Sequence, residues 1–186
     1  MNADGIAIRP ALAGDLDAVA AIFAHYVTTS VATFEQTPPT VEHWRRVHAD
    51  LAERALPFLV CVDSGAPVGY AYATPWRTKP AYARTVEDSV YLSPEYTGRG
   101  LGHRLLSALL AGCASAGIEQ VIAVIADSGD PSSTVLHRAH GFAEAGRLRR
   151  VGFKHGRHLD TVLMQRDLSD LAAAPAGAAI ESGGPS

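Results

Sequence analysis

The chain has 186 residues, a formal net charge of −3, 47% hydrophobic and 19% charged residues, which suits one soluble globular domain with a substantial core rather than two. The acidic balance argues against a sequence-independent nucleic-acid surface, and no stretch approaches the roughly 20 apolar residues of a membrane span. No basic region followed by an apolar run opens the sequence, so the cytoplasm is the expected compartment.

Ile6-Ala7-Ile8-Arg9 reads as a short strand stopped by Pro10, and Gly14-Asp15 leads into a helix with Leu16, Val19, Ala20 and Phe23 on one face. From His25 to Pro39 the period is lost around Phe34-Glu35, which predicts a loop or broken helix of the kind that lines sites. Thr40 is placed to cap a second helix, Val41 to about Arg54, with Trp44, Val47 and Leu51 at helical spacing. Two strands, 57–62 and 68–73, flank Asp63-Ser64-Gly65-Ala66-Pro67 as a hairpin, and an aromatic and basic loop follows from Trp76 to Ala83. Arg84 to Leu92 is the expected central strand. Leu101 to Ala116 is a crossover helix with Leu101, Leu105, Leu109 and Cys113 every four residues, and Glu119 to Ala126 is an apolar run suited to a parallel strand buried on both faces. Pro131 can start a helix carrying Val135, Leu136 and Ala139 that ends at Gly141. Two further strands, about 146–153 and 159–166, complete the α/β pattern. From Ser169 the run of Ala, Gly, Pro and Ser has too little apolar bulk to order itself, so residues 1–168 are read as one domain and 169–186 as a disordered tail. Cys61 and Cys113 fall on predicted core faces and make neither a disulfide framework nor a zinc site.

The organising stretch is Tyr91 to Arg104, where a strand ends, turns through Gly98, Gly100 and Gly102 and becomes a helix. Glycines let backbone amides approach a ligand closely, and the first free N–H groups of a helix add a partial positive charge, so the turn can nest a phosphate or pyrophosphate. It can equally be a plain strand-to-helix turn. A dinucleotide fingerprint starting at Gly98 would require glycine where His103 stands, and a Walker loop would require a lysine that is absent between Lys79 and Lys154. Thr97-Gly98-Arg99-Gly100-Leu101-Gly102 instead resembles the pyrophosphate loop of the GNAT acetyltransferases, with Thr97 where Gln or Arg is usual. That resemblance implies acetyl-coenzyme A as co-substrate, held by Val90, Tyr91 and Leu92, the loop from Thr97 to Gly102, and His103. It also implies a mixed, twisted sheet whose fourth and fifth strands splay.

Strand alternation points Glu87 and Asp88 to opposite faces, and Glu87 lies about five residues, roughly 17 Å at strand rise, from Leu92 and the nest beyond it, within the span of a pantetheine arm. A carboxylate there can take the proton that an attacking amine must lose. His137 stands where the family has a tyrosine that protonates the leaving thiolate, and it can act as that acid or merely pack against the coenzyme. Asp130 and Ser133 stand where relatives place Asn-x-x-Ser against the coenzyme, although Asp130 can instead cap the helix. The pairs His137/His140 and His155/His158 do not make a catalytic zinc site, which needs about three converging ligands.

The resemblance narrows on His25-Tyr26, Thr33-Phe34-Glu35, Glu87 with Ser89-Val90-Tyr91, Leu136-His137, Gly141-Phe142 and Gly152 to Gly156 followed by Asp160. These are similar to the phosphinothricin N-acetyltransferase branch over about residues 6–168. It implies a small amino-acid substrate acetylated on its α-amine, Glu87 as base, Phe34, Glu35, Arg77, Tyr82 and Lys154 near the substrate, and a homodimer. Arg77, Lys79, Arg84 and Lys154 are expected to gather over the acetyl end and suit an acceptor bearing a carboxylate or phosphinate. A polyamine, aminoglycoside or protein N-terminus as acceptor, or a non-catalytic coenzyme-binding module, are the alternatives.

Overall fold

In the computed structural model, which describes residues 5–172, a seven-stranded sheet runs in the order β1-β2-β3-β4-β5-β7-β6. Its strands are β1 (Ile6–Pro10), β2 (Phe58–Asp63), β3 (Ala66–Pro75), β4 (Thr85–Leu92), β5 (Gln120–Ala126), β6 (Ala143–Lys154) and β7 (Arg157–Asp167), with helices α1 (Leu16–Thr29), α2 (Val41–Glu53), α3 (Leu101–Ser115), α4 (Ser132–Ala139) and α5 (Ser169–Ala172). Every neighbouring pair is antiparallel except β4 and β5, the strands joined by the α3 crossover.

Strand alternation divides the core in two. On one face Leu16, Val19 and Phe23 of α1 and Trp44 and Leu51 of α2 pack on Phe58, Val60, Val62 and Tyr70. On the other, Leu105, Leu106, Leu109 and Cys113 of α3 pack on Cys61, Ala71, Ala73, Val86, Val121 and Met164. The spacing that predicts α3 from the leucines is therefore the spacing of its buried stripe. Thr40 Oγ1 accepts the His43 amide at 3.3 Å and starts α2 as expected.

The architecture departs from expectation at four places. The first helix runs a turn into the segment expected to be irregular, to Thr29, because Tyr26 and Val27 still face inward, and the rest of that segment, to residue 39, is irregular. There the hydroxyls of Thr28, Thr29 and Ser30 turn back on helix carbonyls one turn earlier. The first hairpin closes in two residues, Ser64 and Gly65, both at positive φ (50° and 88°), so β3 starts at Ala66 rather than Val68. Strand β5 buries only Val121, Ala123 and Ile125, while Val124, on its other face, is 37% exposed and lines the cleft described below. At the C-terminus, Leu168 is buried and residues 169–172 form a short helix in which Asp170 accepts from Arg166 at 2.5 Å. Residues 169–172 thus carry structure where a disordered tail is expected, and the rest of that segment, 173–186, lies outside the described residues.

What positions the site is the seam between β4 and β5. They pair only at Thr85↔Gln120, Val86↔Val121 and Glu87↔Ile122. Beyond Glu87, β4 stays on β3 up to Leu92 and β5 stays on β7 up to Ala126, so two strand edges diverge with backbone groups facing the gap.

Candidate active site

The gap opens into a cleft of about 1100 Å³ that runs from the glycine loop to the 32–35 segment. One end is made of backbone. Gly98 and Gly100 both sit at positive φ (73° and 74°), and a Cβ built on either meets nothing within 4 Å. The conformation requires glycine and the space in front is open. No side chain caps α3, so its first amides remain free toward the cleft. Thr97, Leu101, Gly102 and His103 line it too, as do Val90, Tyr91 and Leu92 on the free edge of β4. Arg99 does not; its guanidinium lies 4.7 Å from the Tyr96 ring centroid. These features fit an extended ligand with a pyrophosphate at one end and amides that can pair with a strand edge.

The opposite wall comes from α4. Asp130 and Ser133 both line the cleft, and the Asp130 carboxylate, just before the helix, also accepts from the Ser132 amide (2.9 Å) and hydroxyl (3.0 Å). His137 is buried among β4, α3 and α4. Its Nδ1 lies 2.7 Å from the Ser133 carbonyl, its Nε2 lies 2.9 Å from Asp88 Oδ2, and its ring meets Phe142 edge-on at 4.9 Å. Burial opposes protonation of this ring, but the Asp88 hydrogen bond and charge and the Ser133 carbonyl outweigh it, and the net direction is upward.

Glu87 is the last paired residue of the seam and faces the acceptor end of the cleft, on the sheet face opposite Asp88. Burial, with the nearby Asp88 charge, raises its carboxyl above the ordinary range, and the Arg77 charge opposes this. A carboxyl shifted toward neutrality in a cleft is suited to accept a proton from an amine. The same cleft is also lined by Phe23, Tyr26, Thr33, Phe34, Glu35 and Tyr72. Phe34 packs flat enough on β6 that a Cβ at Gly152 would lie 2.3 Å from its ring, and Lys154 Nζ donates to the Thr33 carbonyl at 2.8 Å. The β6–β7 hairpin thereby fastens the 32–35 segment over the cleft. Tyr26 adds a hydroxyl bond to the Leu92 carbonyl at 2.7 Å.

The expected gathering of cations over the acceptor end does not form. Lys154, 4% exposed, is spent on the Thr33 carbonyl; Arg84 pairs with Glu119; and Arg77 stacks over Trp76 at 4.9 Å. Neither Arg77 nor Tyr82 lines the cleft, and among the described residues no lysine or arginine does. Conversely, sequence reasoning missed Asp88 and Thr161, both buried, both lining the cleft, each with a polar oxygen (Asp88 Oδ1, Thr161 Oγ1) that has no partner. Asp88 was within reach of strand alternation, which turns it toward the face that carries α4. Thr161 was not, because its place depends on the β5–β7 register.

Both thiols are fully buried, and burial together with the Asp88 charge pushes Cys113 up to about 12, so neither is poised as a nucleophile. Among the described residues no group of three or more His, Cys, Asp or Glu side chains converges; His140 instead lies 3.2 Å from His103. No described helix is long and apolar enough to cross a membrane.

Compared with known proteins, residues 19–142 match the "Acetyltransferase (GNAT) family". The chain is 48% identical over 155 residues to the phosphinothricin N-acetyltransferase of Alcaligenes faecalis, covering 83% of this chain and 79% of that one. It is 36% identical to the L-methionine sulfoximine/L-methionine sulfone acetyltransferase of Pseudomonas aeruginosa, covering 90% and 98%. A crystal structure of a GNAT superfamily phosphinothricin acetyltransferase from Sinorhizobium meliloti, in complex with acetyl-coenzyme A, superposes with a TM-score of 0.85 at 41% identity over 96% of both chains.

Proposed function

Because the chain belongs to the GNAT family of acetyltransferases, we propose that it moves the acetyl group of acetyl-coenzyme A to the α-amine of a small amino-acid-like acceptor. The acceptor would be of the phosphinothricin, methionine sulfone or methionine sulfoximine type, attacking directly in a ternary complex. The observation that carries this is Glu87 at the closed end of the β4–β5 seam, facing the cleft with its carboxyl raised by burial. Acetyl-coenzyme A would lay its pyrophosphate in the nest at Gly98 and Gly100 and its amides along Val90 to Leu92, which brings the thioester toward Glu87. Glu87 then takes the amine's proton as nitrogen attacks the carbonyl carbon, and the C–S electron pair leaves on sulfur. With both cysteines buried, neither thiol is placed to carry an acyl group, which supports direct transfer. Phe34 and Glu35 would bound the acceptor, and Arg77, outside the cleft but with its charge felt at Glu87, would favour an acid group on the acceptor only at longer range.

Residues 1–168 would act as one catalytic domain. The enzyme would work in the cytoplasm, where acetyl-coenzyme A is available and thiols stay reduced. Leu148, Val151 and Phe153 stand exposed (46%, 54% and 58%) on the edge strand β6, an apolar patch that supports a homodimer, checked by sedimentation equilibrium.

A second reading is favoured by one observation: the cleft is lined by Glu35 and Glu87 but, among the described residues, by no lysine or arginine. That polarity suits a cationic amine. A panel of free amino acids, their amides and polyamines, scored by thiol release from acetyl-coenzyme A, separates the two. Loss of turnover on amidating the acceptor's acid group supports the amino-acid reading; amides or polyamines reacting as well as the free acid overturn it.

A further inference from the structure

Among the described residues, Trp44, Tyr70, Asp88, Thr161 and Arg166 carry a buried side-chain nitrogen or oxygen with no partner, and of these only Asp88 and Thr161 line the cleft. Asp88 belongs to the pair with His137 on the α4 side. Thr161 belongs to the other side. Glu87 pairs with Ile122, Ile122 pairs with Gln165, and Thr161 stands four residues from Gln165 on β7, opposite Ala126, so alternation sets Glu87 and Thr161 on one face of the sheet. Leu159, two residues before Thr161 on that face, pairs with Gly152, on which Phe34 packs. Thr161, 4% exposed, therefore sits beside the segment that bounds the acceptor end.

Packing does not ask for this hydroxyl. A buried hydroxyl without a partner lowers stability, and valine has the same shape and suits a strand as well. A hydroxyl both donates and accepts, and one rotamer step about χ1 exchanges its place with that of the methyl group, so it can serve a polar atom that enters the cleft. Distance along the sheet says which atom. Four residues of strand separate the level of Glu87 and Ile122 from that of Ala126 and Thr161, roughly 13 Å at strand rise. With an amine held at Glu87 and a hydrogen bond of about 3 Å at each end, the bonded atom must stand about 6–7 Å from the acceptor's own nitrogen. An α-carboxylate is too close to its amine to reach. An oxygen on the third atom of an extended side chain does reach.

We propose that Thr161 is a specificity-determining residue whose hydroxyl bonds an oxygen at the far end of the acceptor's side chain, so that the enzyme prefers amino acids ending in an oxygen-bearing group to those of equal length with an apolar end. The inference rests on the acetyl-transfer reading above and deepens it by naming the group that reads the acceptor's side chain. A neutral hydroxyl bonds a neutral sulfone and an anionic phosphinate alike, which suits a cleft lined, among the described residues, by no lysine or arginine.

The test compares L-methionine sulfone with L-methionine, which has the same skeleton without the sulfone oxygens, by thiol release from acetyl-coenzyme A. Wild-type kcat/KM should favour the sulfone at least about fivefold, and Thr161→Val should remove most of that preference, chiefly through acceptor KM. Thr161→Ser keeps the hydroxyl and should hold the preference within about twofold of the wild type. Since no internal bond is lost, the valine variant should melt no lower than the wild type. A wild type that takes methionine as readily as the sulfone overturns the proposal, as does a preference that survives in Thr161→Val. Equal losses on both acceptors with a lowered melting temperature would make the hydroxyl structural and overturn it too. If the valine variant does not fold, Thr161→Ala is held to the same ratio. A wild type that releases no thiol with either acceptor would instead sink the amino-acid acetyl-transfer reading itself, and this proposal with it.

Discussion

The two ends of the cleft are built by different means. The coenzyme end uses backbone: two glycines at positive φ, the uncapped amides of α3 and the free edge of β4. It is assembled from one continuous stretch of chain. The acceptor end uses side chains brought from α1, the 32–35 segment, β3, β4 and β7, and it is fastened by the Phe34–Gly152 and Lys154–Thr33 contacts. A backbone site tolerates change in most side chains but not in backbone conformation, whereas a side-chain site is sensitive to packing some distance away. The same fold can therefore keep its co-substrate while the acceptor changes.

Chemistry separates from binding most sharply at Glu87. Glu87→Gln keeps shape and removes the base, so kcat/KM should drop at least about a hundredfold with coenzyme affinity kept. A loss under about fivefold would move the base elsewhere. The pH dependence has a definite sign: a base must be ionised, burial raises the Glu87 carboxyl, and so wild-type kcat/KM should climb with pH through that raised value. The Gln variant should lack this limb.

At the coenzyme end, Gly100→Asp forces a side chain into the left-handed region, which costs about 1–2 kcal/mol, and sets a negative charge against a pyrophosphate. Titration calorimetry should find acetyl-coenzyme A at least about tenfold weaker in a folded variant. Unchanged affinity would make the loop only a turn.

A smaller effect is expected at the acceptor end from outside the cleft. Gly152→Val drives a branched side chain into the Phe34 ring, 2.3 Å from where the Cβ must stand, and pushes the 32–35 segment off its seat. Acceptor KM should rise by about fivefold while coenzyme affinity stays within twofold, an asymmetry that only two separately built ends would produce. Thr40→Ala sets the baseline. Loss of the cap on α2, away from the cleft, should cost about 1 kcal/mol and lower the melting temperature by roughly 2–4 °C, with kcat/KM unchanged.

The contrast also explains how much could be read from residues alone. The nest was legible because everything it needs, glycines, a strand before and an amphipathic helix after, lies in Tyr91 to Arg104 and obeys local rules. Glu87 was legible for the same reason, by counting along one strand. Histidine at position 137 could be matched to the family's tyrosine, but not its bond to Asp88, 49 residues away. The basic residues misled because charge in a sequence says nothing of where a side chain is spent: Lys154 on the Thr33 carbonyl, Arg84 on Glu119, Arg77 on Trp76. Likewise Val124 belongs to an apolar run that suits a doubly covered strand, yet it lines the open cleft and is 37% exposed.

The sequence by itself determined most of the elements, their α/β order and the glycine turn before α3, since hydrophobic period, capping and glycine conformation act over a few residues. Only the tertiary structure decided where β4 and β5 part, which cations are consumed by neighbours, and that Asp88 and His137 meet at 2.9 Å in a buried pair. Those depend on register and packing between distant segments, and a carboxylate or a cation acquires its chemistry from whatever the fold sets against it.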